Sequence, residues 1–383
     1  MKKFLAAIAA AALSLSAAFA QNVPAPVIAA KSWVLLDATS NQILASNNPD
    51  MRIEPASLTK LMTAYVVFDA LRDKRLDMNQ MVNVSVKAWK VDPESSKMFI
   101  EPRVPVSVHD LVYGLIVQSG NDAAVALAEA TAGTEDAFVT LMNKEAERMG
   151  MKSTHFANAH GLPDPNNYST ARDLSILAAR SAMDHPQYFK IYSVKDFTYN
   201  KIKQPNRNRL LWLDPSVDGL KTGHTEEAGY CLVASALRPS GANQRRLISV
   251  VIGTDSDQAR TQESMKLLNW GYQNFDVVKL YAKNQAVATP DVWKGSQDTV
   301  KVGFTHDVYI TVPKGAAANM KPPVLERKDP LVAPIDKGSQ VGMLKVQSND
   351  GKVLATLPVV ALEQVDPAGV FGRAIDAVRL WLH

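Results

Sequence analysis

The 383-residue sequence predicts an α+β protein built from more than one domain. Between about residues 30 and 282, amphipathic helical segments such as EDAFVTLMNKEAERMG mix with short β-like runs such as SWVLLDA and RLISVVIGT. From about 285 to 365 the helical pattern disappears and short alternating runs replace it. With 46% hydrophobic and 21% charged residues, the chain can bury a full core.

The first 20 residues have the pattern of a secretory signal peptide. They begin with Lys2 and Lys3, continue as an apolar run and end in the small-x-small sequence at 18–20. The alternative, an uncleaved membrane anchor, needs a longer apolar run than the one that QNVPAPVI interrupts. We therefore expect an exported protein, and we find no other apolar stretch long enough to cross a bilayer.

The net charge and the cysteine content narrow the class of protein. Lys and Arg number 42 against 38 Asp and Glu, a formal charge of +4; loss of Lys2 and Lys3 with the signal leaves about +2, too little to indicate nucleic-acid binding. Cys231 alone cannot form an intramolecular disulfide. It lies in the β-like run AGYCLVASAL and fits a buried strand residue, whereas a catalytic thiol would need an activating His or Asn arrangement that we do not find.

The first segment, residues 25–284, is predicted to be one domain, and residues 285–365 a small antiparallel β domain. The alternating runs of the second segment are TVKVGF, DVYITVP, QVGMLKVQ and VLATLPVVALE, with SNDGK as a turn between the last two. Four prolines indicate a long irregular crossing between strands: Pro322, Pro323, Pro330 and Pro334.

A serine and a lysine stand three residues apart where the hydrophobic helix ASLTKLMTAYVVFDAL begins. Residues i and i+3 share one face of a helix, so the Ser57 hydroxyl and the Lys60 amine can reach each other. A serine is a weak nucleophile until a base takes its proton, and lysine is such a base only where burial or nearby positive charge holds it neutral. The alternative is structural, with Ser57 as a helix cap and Lys60 as a surface residue.

Two further stretches favour the catalytic interpretation. Ser119-Gly120-Asn121 lies on a tight connection that leads into another helix, and Lys221-Thr222-Gly223 opens a strand. Each also suits an ordinary turn or strand end. The order and spacing are the specific part, because S-x-x-K, S-x-N and K-T-G together are the signature of penicillin-recognising serine enzymes.

With these motifs, the sequence resembles the low-molecular-mass penicillin-binding proteins, specifically the serine D-alanyl-D-alanine carboxypeptidases that trim peptidoglycan stem peptides. The resemblance runs through SGNDAAVALAEATAGTEDAFV, NAHGLPDPNNYSTARDL and VDGLKTGHTEEAGYCLVASAL and covers nearly the whole chain. It implies a transpeptidase-like catalytic domain over 25–284, with helices packed on an antiparallel sheet, and a β-rich stem domain over 285–365. It also implies removal of the terminal D-alanine from stem pentapeptides through an acyl-enzyme, inhibition by penicillins, and no cofactor.

The resemblance further implies the roles of the motif residues. Ser57 would attack the carbonyl of the penultimate D-alanine, and Lys60 would accept its proton. Ser119 would pass a proton toward the leaving D-alanine, and Asn121 would bind the substrate amide and help to hold Lys60. Lys221 would supply positive charge that disfavours protonation of Lys60 and attracts the terminal carboxylate.

Carboxylate binding is implied for Thr222 and for Arg207 in PNRNRLLW. Arg209 lies two residues further on, and on a strand the two arginines would share a face. For Arg207 the alternative is a solvated loop charge. Gly223 would let the substrate backbone lie close against the strand.

The oxyanion hole would consist of the backbone N–H groups of Ser57 and His224, two donors directed at the developing negative charge. The His224 side chain has two interpretations. It contributes nothing beyond its backbone, or it tethers the strand to a carboxylate, for which Asp173 is our candidate.

Other activities fit the sequence less well. A β-lactamase holds its hydrolytic water with a glutamate, and we find no E-x-x-L-N-type segment between Ser119 and Lys221. A cell-wall-binding scaffold without catalysis would not need the serine and lysine motifs intact. The seven His make no H-x-x-x-H or H-E-x-x-H arrangement, so we predict no metal site.

The last segment, DPAGVFGRAIDAVRLWLH at 366–383, is predicted to be an amphipathic membrane-anchoring helix. Its apolar residues recur along one side: Phe371, Ala374, Ile375, Val378, Trp381 and Leu382. Too short and too polar to span a bilayer, it suits the membrane interface; the alternative is docking on the β domain. We therefore expect a peripheral protein at the periplasmic face of the inner membrane, its active site raised toward the peptidoglycan by the β domain.

Overall fold

The computed structural model describes residues 23–241, 243–327 and 329–369, and these divide into two compact units. The first contains residues 25–38 and 43–271, and the second contains 23–24, 39–42 and 272–369. The division after residue 271 comes earlier than the predicted 284/285. The reason is that Phe275–Tyr281 pairs with the distant Val308–Pro313, a contact that local sequence does not reveal.

The first unit is organised around a five-stranded sheet in the order β2-β1-β9-β8-β7, with β7 at one edge. The β1–β9, β9–β8 and β8–β7 pairs are antiparallel. The strands that lie wholly or mostly in this unit are β1 Ser32–Asp37, β2 Gln42–Asn47, β3 Met81–Val82, β4 Val106–Ser107, β5 Asp196–Tyr199, β6 Ile202–Pro205, β7 Val217–Thr225, β8 Gly229–Ser240 and β9 Asn243–Thr254. The short pairs β3–β4 and β5–β6 lie apart from the main sheet.

The helices that lie wholly or mostly in this unit are α1 Lys60–Arg72, α2 Val86–Trp89, α3 Val108–Tyr113, α4 Asn121–Ala132, α5 Glu135–Met149, α6 Ala171–Asp184, α7 Pro186–Phe189, α8 Leu210–Leu213 and α9 Asp257–Asn274. Helices α1 to α7 share one hydrophobic core with the sheet. Every residue of α1 from Lys60 to Leu71 is buried, so this helix has no solvent face. Lys60, its first residue, is therefore forced into the interior.

Strand β7 carries the predicted K-T-G motif in its middle rather than at its start, since it already begins at Val217. In the antiparallel register Lys221 lies opposite Val233 and Gly223 opposite Cys231. Cys231 is fully buried, and burial raises the pKa of its thiol to about 11. The structure therefore supports the interpretation of Cys231 as a structural strand residue.

The second unit is rich in β structure, in agreement with the prediction. Its strands are β10 Phe275–Tyr281, β11 Ala286–Ala288, β12 Val292–Trp293, β13 Val302–Gly303, β14 Val308–Pro313, β15 Val324–Arg327, β16 Leu331–Val332, β17 Gln340–Gln347 and β18 Val353–Ala361. Five of them form a sheet in the order β11-β13-β18-β17-β15, and the β17–β18 hairpin lies where the SNDGK turn predicts it.

The proline-rich crossing of the second unit is more regular than predicted. It contains β15, directly after Pro323, and β16, directly after Pro330. Strand β15 lies at an edge of its sheet, where prolines nearby remove no interior hydrogen bond. Strands β12 and β16 pair in parallel, an exception to the predicted antiparallel arrangement.

The predicted terminal helix does not begin at residue 366. Pro367 forms a β-bridge with Gly295, and the Ala368 N–H donates to the Lys294 carbonyl at 2.8 Å, so residues up to 368 belong to the second unit. The remainder, 370–383, and the predicted signal peptide at 1–20 lie outside the described residues. Among the residues that are described, none forms a helix long and apolar enough to cross a membrane.

Candidate active site

The structure brings Ser57 and Lys60 together as the i, i+3 spacing predicts. Ser57 lies in a 3₁₀ turn, Ala56–Thr59, that runs directly into α1. The Lys60 Nζ lies 3.2 Å from the Ser57 Oγ. Ser57 is only half-buried, whereas Lys60 is 1% exposed. The nucleophile candidate is therefore accessible, and its candidate base is shielded from water.

Two further acceptors fix the Lys60 amine. Its Nζ donates to the Asn121 Oδ1 at 2.6 Å, as predicted from the family resemblance, and to the His160 carbonyl oxygen at 2.5 Å. The second contact was not predicted, because it joins residues a hundred positions apart through a backbone atom. The Asn121 and His160 oxygens accept the two N–H groups that a neutral Lys60 amine can donate, so its lone pair is free for the Ser57 hydroxyl at 3.2 Å.

The electrostatics of Lys60 suit a base. Burial lowers its pKa to about 7, the positive charge of Arg207 acts in the same direction, and Asp122 opposes both. Each effect has a direct cause, since burial and a like charge disfavour the ammonium form and a carboxylate favours it. Near neutral pH a large fraction of Lys60 is thus unprotonated and able to accept a proton.

Ser119 and Asn121 lie where a π-helical turn, Gly114–Gln118, gives way to α4. Ser119 adopts the left-handed conformation, with φ 64° and ψ 31°. Its buried hydroxyl has no hydrogen-bond partner in the part of the chain that is described, so it can bind an incoming group. The next residue of α4, Asp122, accepts the backbone N–H groups of residues 98–100, and the Asn121 N–H donates to the Ser96 carbonyl at 2.7 Å. The S-G-N motif is thereby tied to the segment 96–100.

Lys221 and Thr222 lie on β7 and are both buried. The Lys221 Nζ donates to the Thr222 carbonyl at 3.1 Å. Burial first, and then the positive charges of Lys60, Arg207 and Arg260, hold the pKa of Lys221 well below its usual value. The prediction was that Lys221 disfavours protonation of Lys60; the effect found is the reverse one, in which Lys60 lowers the pKa of Lys221. Lys60, Lys221 and Arg260 are buried and Arg207 is exposed, and this concentration of basic side chains favours an anionic ligand.

Arg207 lies on a loop between β6 and α8, not on a strand, so it does not share a face with Arg209 as a strand would require. The buried Asn206 donates to the Val194 carbonyl at 3.0 Å, and the buried Asn208 donates to the Gly219 carbonyl at 3.0 Å. These two bonds fix the loop on either side of Arg207.

The two arginines consequently face different surroundings. Arg207 is close enough to Lys60 and Lys221 to lower the pKa of both. Arg209 pairs instead with Asp257 at 3.4 Å and lines an open groove with Trp212. The electrostatics favour Arg207 as the carboxylate-binding arginine.

Gly223 has a role that the sequence did not indicate. A Cβ atom at this position would lie 3.1 Å from the Leu58 Cγ and 3.2 Å from the Pro55 carbonyl oxygen. The absence of a side chain therefore lets β7 pack against the segment that carries Ser57, whatever it does for a substrate.

The suggested tether between His224 and Asp173 is wrong. His224 is exposed, and its ring lies 4.0 Å from the ring of its cross-strand neighbour Tyr230. Asp173 is buried and accepts hydrogen bonds from the Thr154 hydroxyl at 2.7 Å and the Ser153 N–H at 2.9 Å. The Asp173 carboxylate, at the start of α6, thus binds the segment that follows α5 and not strand β7.

Sequence reasoning missed a second layer of residues around the site: Glu135, His160, Gly161, Asp122 and Arg260. The buried Arg260 donates to the Gly223 carbonyl at 3.0 Å and so supports β7 from α9. Of these residues, only Asp122 could have been identified from the sequence, because it directly follows the S-G-N motif. Across the described ranges, no group of three or more His, Cys, Asp or Glu residues is placed to hold a metal ion.

This arrangement defines a serine acyl-transfer enzyme of the penicillin-recognising class. It combines a serine beside a lysine whose pKa is near neutral, a second serine whose hydroxyl has no hydrogen-bond partner among the described residues, and an edge strand that carries a lysine. Residues 19–256 match the model of the D-alanyl-D-alanine carboxypeptidase family, peptidase S11, and residues 275–367 match that of the penicillin-binding protein 5 C-terminal domain. The chain belongs to the D-alanyl-D-alanine carboxypeptidase family. The predicted family and the predicted serine carboxypeptidase class are confirmed.

Individual relatives agree with the family models. The D-alanyl-D-alanine carboxypeptidase DacA of Haemophilus influenzae is 45% identical over 96% of this chain and 94% of its own length. A crystal structure of penicillin-binding protein 5 from Haemophilus influenzae, 46% identical, superimposes with a TM-score of 0.84 over 90% of this chain and 99% of that one. Penicillin-binding protein D2 of Listeria monocytogenes in its ampicillin-bound form is 30% identical, with a TM-score of 0.58 over 65% of this chain and 99% of that one.

Proposed function

We propose that this chain removes the terminal D-alanine from peptidoglycan stem pentapeptides through an acyl-enzyme on Ser57, and that penicillins acylate the same serine. The observation that carries this proposal is the 3.2 Å contact between the Ser57 Oγ and a Lys60 amine whose pKa is about 7. Family membership supplies the class of substrate, and the ampicillin-bound relative supports the β-lactam as inhibitor.

In the acylation step Lys60 accepts the hydroxyl proton as the Ser57 oxygen attacks the carbonyl of the penultimate D-alanine. The backbone N–H groups of Ser57 and His224 stabilise the negative charge on the carbonyl oxygen. The C–N bond then breaks, and the Ser119 hydroxyl passes a proton to the departing D-alanine amine. Water later hydrolyses the ester, which frees the tetrapeptide and restores Ser57.

Substrate binding uses the edge of the sheet. Strand β7 is an edge strand, so an extended peptide can lie alongside it in the manner of an added strand. The terminal carboxylate then meets Lys221, Thr222 and Arg207, and the Asn121 amide meets the peptide backbone. A carboxylate beside Lys221 favours its ammonium form, so binding restores a charge that burial suppresses.

The test is mass spectrometry of a muropeptide pentapeptide before and after incubation with the protein, together with labelling by a fluorescent penicillin. Ser57→Ala should abolish both trimming and labelling, because no acyl-enzyme can form. Lys60→Arg should fail as well, because arginine stays protonated. The exposed Ser193 offers a matched control, and Ser193→Ala should behave as the wild type. Trimming by Ser57→Ala within a few-fold of the wild-type rate would exclude the serine mechanism.

We further propose that residues 1–20 are a signal peptide and that the C-terminal segment of 366–383 anchors the protein at the periplasmic face of the inner membrane. Since residues up to 368 pair with the β domain, deletion of 370–383 removes the amphipathic stretch without breaking that pairing. The truncated protein should move to the soluble fraction and trim small peptides at an unchanged rate. If the truncated protein still sediments with membranes, the C-terminal segment is not the anchor. If the truncated protein loses activity, catalysis depends on this segment.

A further inference from the structure

A buried carboxylate lies behind the turn that receives Lys60. Glu135, the first residue of α5, is 6% exposed. Its Oε1 accepts the Ala159 N–H at 3.0 Å and lies 3.6 Å from the His160 Nε2. Its Oε2 pairs with the Lys87 Nζ, on α2, at 2.8 Å. One carboxylate thus contacts two consecutive residues of the turn and a lysine from another helix.

Helix α1 holds the opposite side of the same turn. The Thr63 hydroxyl donates to the Ala159 carbonyl at 2.6 Å, and the Lys60 Nζ donates to the His160 carbonyl at 2.5 Å. Thr63 and Lys60 are three residues apart and share a helix face. The backbone of 159–160 is therefore fixed between Glu135 on one side and α1 on the other.

Glu135, Lys87 and His160 each have a well-defined charge at neutral pH. Burial raises the pKa of Glu135, but the hydrogen bonds from Lys87 and the Ala159 N–H outweigh it and hold the pKa below its usual value. Burial lowers the pKa of His160 to about 4; Glu135 opposes this shift, and Lys60 and Lys87 add to it. Glu135 is thus an anion with a cationic partner, and His160 is a neutral ring beside it.

We propose that Lys87 and Glu135 are positioning residues for the catalytic base, because they fix the turn whose His160 carbonyl holds the Lys60 amine against Ser57. The inference rests on the proposed roles of Ser57 and Lys60. Without the carboxylate, the Ala159 N–H loses its acceptor and the turn loses its contact with α5, so that the Asn158 Oδ1, which accepts the His160 and Gly161 N–H groups, supports it from within. The His160 carbonyl then no longer stays at hydrogen-bond distance from Lys60.

Two measurable consequences follow for penicillin acylation. The maximal rate should fall about 10- to 100-fold, the range expected when a reacting group is displaced by a fraction of an ångström to an ångström. The acidic limb of the pH profile should also move about one pH unit toward acid, because a carbonyl acceptor stabilises the ammonium form and its loss lowers the pKa of Lys60. The other charged groups near Lys60 are Asp122, Arg207 and Lys221, and none of them is altered.

The test measures the second-order rate of acylation by a fluorescent penicillin from about pH 5 upward, where His160 stays neutral, in full-length protein. The variants are Glu135→Gln, which keeps the shape, Glu135→Ala and Lys87→Met. Rates are normalised to the fraction of protein that labels at completion, so that unfolded protein does not contribute. Asp136→Asn is the matched control, since it removes a carboxylate from the same first turn of α5 without touching the Ala159–His160 turn.

The expected order of effects is Glu135→Ala, then Glu135→Gln, then Lys87→Met, each with a lower rate and an acid-shifted limb, while Asp136→Asn matches the wild type. A merely structural role would lower the labelled fraction and leave the limb in place. If Glu135→Ala leaves both the normalised acylation rate and the acidic limb of its pH profile unchanged, the inference is overturned. Absence of labelling in the wild type would instead overturn the proposed function, so the two failures are distinguishable.

Discussion

Gly161 packs directly against the carbonyl oxygen of Ala56, the residue that precedes Ser57. Gly161 has φ +85°, and a Cβ atom there would overlap the Ala56 carbonyl and lie 2.9 Å from the Thr59 Oγ1. Ala56 itself has φ 48°, an unusual value for a residue with a side chain. The turn that holds Lys60 and the turn that presents Ser57 thus meet at a point where only glycine fits.

Gly161→Ala should therefore damage both stability and acylation. The left-handed backbone alone costs about 1–2 kcal/mol with a side chain, and the overlap with Ala56 adds to it. The comparison variant is Gly150→Ala, because Gly150 has φ +78° but no atom within 4 Å of an added Cβ. Denaturant unfolding should show the smaller loss for Gly150→Ala, and penicillin acylation should stay normal only in that variant. Equal acylation by the two variants would show that the Gly161 contact does not position Ser57.

The pH dependence of acylation should follow Lys60. Burial and Arg207 disfavour its ammonium form and lower its pKa to about 7, so the unprotonated base is scarce in acid and dominant in mild alkali. We expect the rate of penicillin acylation to rise with pH through a midpoint near 7 and then to level off. Stopped-flow measurement of acylation over this range checks the expectation. A rate that keeps rising toward the ordinary lysine value, near 10.4, would show that Lys60 is not held neutral.

The part of the site that the sequence predicts is the part that local geometry determines. Ser57 and Lys60 meet because three residues on a helix bring any pair onto one face, and Asn121 follows a turn that starts a helix. The Lys60–His160 and Glu135–Ala159 contacts instead join distant segments through backbone atoms. No pattern of residue types encodes such contacts, so they emerge only from the fold.

Two features of the fold differ from expectation for the same reason, a contact between segments that are distant in sequence. The Asp173 tether assumed that the carboxylate in the S-T-A-R-D-L run was available, whereas it accepts a hydrogen bond from Thr154, 19 residues earlier in the chain. The compact units divide after residue 271 and not at 284/285, because Phe275–Tyr281 pairs with a strand some thirty residues further on. Within the second unit, the β17–β18 hairpin was predicted correctly because its two strands are adjacent in sequence.

The buried ion pair between Asp37 and Arg245 should make a large contribution to stability. The Arg245 Nε lies 2.7 Å from the Asp37 Oδ2, and the two side chains are 2% and 0% exposed. Removal of one charge from a buried pair takes the charged partner from the other, at a cost of about 3–5 kcal/mol. Asp37→Asn should accordingly lower the free energy of unfolding by that amount in urea titration.

A matched control for Asp37→Asn is available at the surface. Arg172 and Asp50 make an equally short contact of 2.7 Å, but their side chains are 30% and 62% exposed. Asp50→Asn should cost about 0–1 kcal/mol, because water and salt screen an exposed pair. Similar losses in the two variants would mean that burial of the Asp37 pair has no energetic consequence.

Arg207 and Arg209 should differ sharply when each is replaced by glutamine. Arg207→Gln removes a positive charge near Lys60 and Lys221, so it should weaken binding of the substrate carboxylate about tenfold or more. It should also move the acidic limb of acylation toward higher pH, because loss of a neighbouring cation raises the pKa of Lys60. This shift is opposite in sign to the one expected for Glu135→Ala.

The measurement compares kcat/KM for a D-alanyl-D-alanine peptide with that for the same peptide carrying a C-terminal amide. Wild-type protein should strongly prefer the peptide with a free carboxylate. Arg207→Gln should lose most of this preference, because its kcat/KM should fall for the carboxylate peptide and stay the same for the amide peptide. Arg209→Gln removes only the exposed pairing with Asp257, so it should retain both the preference and the position of the acidic limb. If Arg209→Gln lost the preference and Arg207→Gln kept it, Arg209 would be the arginine that binds the carboxylate.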